Sequence, residues 1–260
     1  VITVHDMIHE LFPQYFSQKS PFLECKKLAI SRADHVICIS EHTRKDLIEI
    51  HGVDQSKTSV VHHGVALAQN TPSPKALDRV FTRMPFLLYV GLRGGYKNFQ
   101  ALAKAYASSP KLSKHFDIVC FGGPALTREE LRSFERLNIP ADRIQYVTGD
   151  DALLARYYSN ASLFVYPSLY EGFGIPPLEA MNYGCPVACS HTSSMPEVVG
   201  DAALLFDPYS ADSIREAIET ALFDTTVRDD LVRKGFERVR HFSWEKCARE
   251  TFAVYQRLGI

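Results

Sequence analysis

The sequence lacks the features by which several classes of protein are recognised. No apolar run approaches the roughly 20 residues of a membrane-spanning helix. Basic and acidic residues nearly cancel, at 29 and 30, so the positive excess typical of a nucleic-acid-binding protein is missing. There is no internal repeat and no low-complexity tract. These absences argue against a nucleic-acid partner and indicate an ordinary globular protein.

Paired metal or redox ligands are also missing from the sequence. The six cysteines include no Cys-x-x-Cys pair, and no Asp-x-Asp triplet is present to hold a metal ion. Several cysteines lie in apolar runs, which indicates buried free thiols in a reducing compartment. We therefore expect a cytoplasmic protein without a metal site.

One basic cluster lies near the carboxyl end. Acidic residues are interleaved with it, so we expect a solvated helix face, with peripheral contact at the inner face of the membrane as the alternative. The basic residues are Arg228, Arg233, Lys234, Arg238 and Arg240.

Short apolar strands alternate along the chain with helical patterns, which is typical of parallel α/β sheets. Six strands within residues 85–243 predict a complete, doubly wound Rossmann-like domain. Three strands within residues 1–70 predict only part of a second one, and the polar stretch at 71–84 predicts a linker. The predicted strands are 2–4, 35–39, 59–61, 86–90, 117–121, 144–147, 163–166, 187–189 and 203–206.

A loop with two glutamates and two glycines joins one predicted strand, 163–166, to a helix that begins near Pro176. Free N–H groups at Gly174 and Ile175 would face a ligand at the positive end of the helix dipole. Carboxylates at Glu171 and Glu179 favour hydroxyl groups over phosphate. The loop therefore predicts a site for a phosphorylated sugar such as a nucleotide sugar, against the plainer alternative of an exposed turn.

A second glycine-rich loop follows the strand 86–90 and precedes another helix. Its sequence from Gly91 to Asn98 carries Arg93 and Lys97, two cations that could neutralise a diphosphate. The helix is predicted from one apolar face, formed by Phe99, Leu102, Ala103 and Tyr106. Two solvated cations beside a turn are the alternative interpretation.

The string EGFGIPPLEAM, from Glu171 to Met181, resembles the signature of the retaining glycosyltransferases of family 4, which have the two-domain GT-B fold. The resemblance implies that Glu171 lies against the donor sugar and that Glu179 binds the ribose. It also implies that the diphosphate is held by the backbone of the segment between them: Gly172, Phe173, Gly174 and Ile175.

The resemblance extends along the chain. It implies that Gly91, Arg93 and Lys97 bind the donor, although many members have Arg directly before the Lys, where this sequence has Tyr96. It further implies that Gly122 approaches the nucleoside and that the segment from Ile144 to Leu153, with Val147 and Leu153 as its site residues, meets the base through its backbone, which leaves UDP- and GDP-sugars open. The last segment, 244–260, resembles a helix that crosses back to the first domain.

The segment from His5 to His9 has three interpretations. In a helix the two histidines would share a face and could bind a metal with Asp6. At the end of a parallel strand, His5 would face the ligand cleft. A core histidine bonded within the fold is the third. We favour the second, because residues 2–4 have a strand pattern and the family has a His-Asp pair beside the donor sugar; His5 and Glu171 are then the catalytic candidates.

The predicted function is transfer of a sugar from a nucleoside-diphosphate sugar to a hydroxyl acceptor, carbohydrate or lipid-linked, with retention of configuration and without a metal or other cofactor. The resemblance implies that most of the acceptor-side domain is missing from this sequence, so inactivity of the chain by itself is a possible outcome. A non-catalytic nucleotide-sugar-binding module and a GT-B epimerase remain as alternatives.

Overall fold

The computed structural model describes residues 1–17, 21–66 and 82–259, and it contains two parallel sheets. The strands of the first sheet are β1 (Ile2–Val4), β2 (Val36–Cys38) and β3 (Thr58–Val60). The strands of the second sheet are β4 (Phe86–Val90), β5 (Asp117–Phe121), β6 (Ile144–Val147), β7 (Leu163–Tyr166), β8 (Val187–Ser190) and β9 (Leu204–Phe206).

Helices connect the strands and cover the sheets. In the first part of the chain they are α1 (Ile8–Leu11), α2 (Phe22–Arg32) and α3 (Glu41–His51). In the second part they are α4 (Phe99–Ala107), α5 (Pro110–His115), α6 (Arg128–Arg136), α7 (Asp151–Asn160), α8 (Ile175–Asn182), α9 (Met195–Val199), α10 (Ala211–Phe223), α11 (Thr225–Val239) and α12 (Trp244–Arg257).

The strand order of the second sheet fixes where loops can meet. The order is β6-β5-β4-β7-β8-β9, so the chain builds outward from β4 on one side and then returns to start again with β7 beside it. A crevice opens at such a switch point, outside the carboxyl ends of the two strands, because their loops leave in opposite directions. The loops that follow β4 and β7 therefore face each other.

These observations confirm the predicted α/β fold with one six-stranded and one smaller parallel sheet. Four strands of the second sheet have the predicted bounds, and the others differ by one residue at an end. The apolar face predicted for α4 is fully buried, at Phe99, Leu102, Ala103 and Tyr106. Most of the predicted linker, residues 71–81, lies outside the described residues.

The helix α12 packs against the first sheet. Its Val254 is buried with Ile37 and Val61, and the Arg257 guanidinium donates to Ser59 Oγ at 2.7 Å. At Gly64 a Cβ atom would lie 2.2 Å from the backbone N of Trp244, so only glycine allows this approach. Within the described ranges, no helix has the length and apolar character needed to cross a membrane.

Candidate active site

The loop after β4 and the loop after β7 meet at the switch point. We call residues 91–98 the lysine loop and residues 167–174 the glutamate loop. The Lys97 ammonium lies 2.7 Å from Glu171 Oε1 and 3.2 Å from the Tyr166 hydroxyl. The backbones also join, because Leu169 N–H donates to Tyr96 O at 2.8 Å. The two sequence motifs therefore form one site.

A cavity of about 300 Å³ lies over this contact, between the two sheets. Seven of the predicted site residues line it, and the first sheet contributes one of them: His5, Lys97, Glu171, Gly172, Phe173, Gly174 and Ile175. The sequence analysis did not select three other lining residues, His63, Tyr96 and Tyr166. An opening of this size between two domains suits part of a small polar ligand.

The amino terminus of α8 opens beside the glutamate loop. Gly174 has φ of 101°, a left-handed conformation that favours glycine, and within the described residues no side chain caps this helix. Pro176 and Pro177 have no N–H, so the donors of the first turn are concentrated at Gly174 and Ile175. The positive end of the helix dipole therefore faces the cavity, as the sequence predicted.

The glutamate loop is held from behind by residues 190–194, which we call the serine loop. Ser194 Oγ donates to the carbonyls of Glu171 and Phe173, at 2.9 and 2.8 Å. Glu171 N–H donates to Ser193 Oγ at 2.9 Å, and Thr192 Oγ1 donates to Leu169 O at 2.8 Å. The sequence analysis missed these supports; the run of hydroxyl residues directly after β8 is the signal that could have identified them.

The glutamate loop also contacts the first sheet. A Cβ atom at Gly172 would lie 1.8 Å from the carbonyl oxygen of His5, so the two backbones approach as closely as glycine permits. Ser40 caps α3, since its Oγ accepts from Thr43 N–H, and it also donates to Gly172 O at 2.7 Å. These contacts place His5 opposite Glu171.

Glu197 makes a second contact between the two parts of the molecule. Its carboxylate accepts from the backbone N–H groups of Glu41 and His42, at 2.8 and 3.2 Å, and from His62 Nε2 at 2.7 Å. Burial alone would raise the pKa of Glu197, but the bonds from His62 and the two N–H groups outweigh it and lower that pKa. Glu197 thus stabilises the amino terminus of α3, in the other domain.

Arg93 is the sequence prediction that the structure corrects. Its side chain is only 2% exposed and does not line the cavity. The guanidinium instead donates to Glu130 Oε1 at 2.7 Å and to the carbonyls of Pro124 and Ala125, at 2.5 and 3.2 Å. Because Glu130 and two carbonyls offer acceptors on the far side of the lysine loop, Arg93 braces the neighbouring loop rather than facing a phosphate.

The remaining predicted donor residues do not line this cavity. Gly91 N–H donates to Phe121 O and Gly122 N–H donates to Val147 O. These backbone bonds connect the carboxyl ends of β4, β5 and β6. Leu153 lies in the first turn of α7, after the cap Asp150. Glu179 is one turn into α8 and accepts from the Tyr158 hydroxyl at 3.1 Å; burial raises its pKa.

The strand-end interpretation of His5 is confirmed, because β1 ends at Val4 and His5 is exposed beside the cavity. His9 lies apart from it in α1, where its ring stacks on Phe16 at 3.8 Å. The ring of His5 is 5.5 Å from that of His63, whose pKa is lowered by burial and by the neighbouring His5 and His62. His5 and His9 therefore do not share a helix face, which the metal-binding interpretation of this segment required.

Comparison with known families agrees with this geometry. The model of the family described as "Glycosyl transferases group 1" matches residues 78–238, and that of "Glycosyltransferase Family 4" matches residues 1–69. The chain belongs to the group 1 glycosyltransferases. The family 4 match covers the first sheet of this glycosyltransferase, and the group 1 match covers the second.

Two curated relatives of the glycosyltransferase are named as mannosyltransferases. The O-antigen chain mannosyltransferase B of Escherichia coli is 30% identical over an alignment of 267 positions that covers 99% of this chain and 70% of the relative. The serotype-specific mannosyltransferase WbdA of Escherichia coli is also 30% identical, but this chain spans only 33% of its length.

Solved structures show the same GT-B architecture. Sucrose-phosphate synthase from Thermosynechococcus elongatus superposes with a TM-score of 0.77 at 26% identity, over 99% of this chain and 67% of that one. HepE from Anabaena, solved with UDP and glucose, has a TM-score of 0.79 at 20% identity, over 98% of this chain and 71% of that one.

Proposed function

We propose that this glycosyltransferase transfers a sugar from a nucleoside-diphosphate sugar to a hydroxyl acceptor in the assembly of a polysaccharide or glycolipid, with retention of anomeric configuration. One observation carries the proposal: Lys97 Nζ lies 2.7 Å from Glu171 Oε1, beside the uncapped start of α8. A cation for the diphosphate and a carboxylate for the sugar thus lie side by side at one site.

Departure of the diphosphate is the step that this site favours. As the bond between the anomeric carbon and the phosphate oxygen lengthens, negative charge grows on that oxygen. The Lys97 ammonium and the N–H groups of Gly174 and Ile175 bind the charged leaving group more strongly than the intact donor, and this difference lowers the barrier. A metal ion is not required in this scheme.

Glu171 and His5 act on the sugar in this proposal. Glu171 accepts hydrogen bonds from sugar hydroxyls, and its position is fixed by the serine loop. His5 lies across the cavity at the end of β1. With retention, the acceptor oxygen bonds to the anomeric carbon on the face that the diphosphate leaves, and its proton passes to a departing phosphate oxygen.

A panel of donors tests the proposal. Thermal shift with UDP, GDP, UDP-glucose and GDP-mannose should show stabilisation by one nucleotide series, since a ligand that binds the folded form raises its melting temperature. A full-length protein given that donor and candidate acceptors should yield a product whose anomeric proton keeps the donor's configuration by NMR, with EDTA present. Binding without turnover would favour the binding module, and interconversion of the donor sugar would favour the epimerase.

A further inference from the structure

The side chain of Asn98 joins three loops at the carboxyl edge of the second sheet. Its Nδ2 atom donates to Pro167 O at 3.0 Å and to Pro208 O at 2.8 Å. Pro167 opens the glutamate loop after β7, and Pro208 lies in the loop after β9. Both partners are carbonyl oxygens, so both amide hydrogens are used, and the orientation of the amide is fixed by its partners.

The backbone at Asn98 restricts which residue can do this. Asn98 has φ of 58° and ψ of 31°, between the short helical turn Gly95–Lys97 and the start of α4. This left-handed conformation is accessible to glycine and to Asn or Asp, and is unfavourable for most other side chains. Of these three, only Asn also supplies two N–H donors.

Asn98 directly follows Lys97, so the position of the amide sets the position of the lysine backbone. Lys97 in turn reaches Glu171, four residues after the Pro167 that Asn98 holds. The lysine loop is tethered at its other side by Tyr89, whose hydroxyl donates to Leu92 O and lies 3.5 Å from Lys97 O. The Asn98 side chain therefore adds to the backbone bond between Leu169 and Tyr96 in holding the lysine loop against the glutamate loop.

We propose that Asn98 is a positioning residue that holds the Lys97 ammonium at the diphosphate site by bonding the lysine loop to the loops after β7 and β9. The inference rests on the proposed function for its role in donor binding. The geometric part, that Asn98 places Lys97 against Glu171, does not depend on it.

Two variants separate the amide from the backbone conformation. Asn98→Gly keeps the left-handed backbone and removes both bonds, while Asn98→Asp keeps the shape and turns a donor into an acceptor that faces two carbonyls. By calorimetry with UDP and GDP on this chain, we expect affinity to fall about threefold for Asn98→Gly, which only loosens the loop, and about tenfold for Asn98→Asp, which also sets a carboxylate against two carbonyl oxygens. Asn138→Asp is the matched control, because Asn138 is also left-handed, with φ of 56°, and is exposed after α6.

A double variant distinguishes positioning from general stability. In a Lys97→Ala background, the effect of Asn98→Asp on nucleotide affinity should disappear, because the group that Asn98 positions is gone. Its effect on the melting temperature should persist in both backgrounds. An equal loss of affinity in both backgrounds would show that Asn98 acts only on the fold and would overturn the inference.

A nucleotide-free measurement keeps the inference separate from the proposed function. Acetylation of Lys97 by an N-hydroxysuccinimide ester, read by mass spectrometry against the exposed Lys104, should rise several-fold in Asn98→Asp and stay unchanged in Asn138→Asp. An unchanged ratio in Asn98→Asp overturns the inference whether or not nucleotides bind. If the wild-type chain binds no nucleotide and the ratio still rises, the proposed function fails and the placement of Lys97 stands.

Discussion

The two ends of the lysine loop carry one cation each, and the structure uses them differently. At the amino-terminal end, Arg93 turns away from the cavity and bonds Glu130 and two carbonyls. At the carboxyl-terminal end, Lys97 lines the cavity and contacts Glu171. Residue type alone would favour the arginine as the phosphate ligand, because its planar fork can bind two oxygens.

The difference follows from the acceptors that surround each cation. Next to Arg93, the turn after β5 offers bare carbonyls, and Glu130 at the start of α6 adds a carboxylate whose capping box with Thr127 fixes its position. Next to Lys97, the acceptors belong to the strand and loop across the switch point, Tyr166 and Glu171. The role of each cation in this loop therefore depends on where its hydrogen-bond acceptors lie.

We expect the largest effect on nucleotide affinity from substitution of Lys97, at the cavity end of the lysine loop. Lys97→Ala should weaken binding of UDP or GDP by tenfold to about a hundredfold, since a hydrogen bond to a charged group contributes about 1.5–3 kcal/mol. The salt sensitivity of binding should change little, because a recessed contact is screened weakly. Calorimetry at two ionic strengths measures both. Lys104→Ala, exposed on α4, is the control, and unchanged affinity in Lys97→Ala would count against the phosphate site.

Substitution of Arg93, at the other end of the lysine loop, should mainly change the stability of the fold. Arg93→Ala should lower the free energy of unfolding by about 2 kcal/mol, because it leaves the half-buried Glu130 carboxylate without its cation. Nucleotide affinity should fall much less than in Lys97→Ala. Urea denaturation and calorimetry on the same samples measure the two effects, with Arg132→Ala on the exposed face of α6 as the control. If Arg93→Ala weakens nucleotide binding as strongly as Lys97→Ala, Arg93 and Lys97 do not differ in role.

A third variant tests whether the cavity end depends on the contact between the sheets. In Gly172→Ala the new Cβ would overlap the carbonyl oxygen of His5, at 1.8 Å, so the glutamate loop must move. We expect the melting temperature to fall by several degrees and nucleotide affinity by severalfold. Gly94→Ala is the matched control in the lysine loop, because nothing lies within 4 Å of a Cβ there. Equal behaviour of the two variants would contradict the close contact.

We expect the smallest effect in the pH dependence of stability that comes from Glu130, the partner of Arg93. Burial raises the pKa of Glu130, but bonds from Arg93 and Thr127 outweigh it and lower that pKa below its ordinary 4.5. A lowered folded-state pKa stabilises the protein above the unfolded pKa, and the stabilisation is lost as pH falls through the folded value. The stability difference between wild type and Glu130→Gln should therefore be constant near neutral pH and shrink below 4.5. Denaturation across pH 3–7 measures it; a difference independent of pH would contradict the pairing.

Much of the fold was predictable because it depends on local patterns. Short apolar runs predicted nine strands close to their observed bounds, and the apolar face of α4 is buried as its spacing predicted. The start of α8 was also predictable, since two prolines and a left-handed glycine mark it. The glutamate motif identified the family by itself, because its residues are contiguous in the chain.

The partners of the charged groups were not predictable in the same way. Arg93 and Glu130 are 37 residues apart, and Asn98 bonds Pro208 across 110 residues. Glu197, which has the sequence pattern of a residue that favours its own helix start, instead caps α3 in the other domain. Such contacts join residues that only the folded chain brings together, and no local spacing encodes them.

The sequence by itself determined the two parallel sheets, the positions of the lysine and glutamate loops, and the family. The tertiary structure decided which of those residues work together. Parallel strands place their carboxyl ends at one edge, but the strand order β6-β5-β4-β7-β8-β9 makes the loops after β4 and β7 neighbours. Hydrogen bonds and ion pairs form only at distances of about 3 Å. This strand order therefore lets Lys97 pair with Glu171, while Arg93 pairs with Glu130.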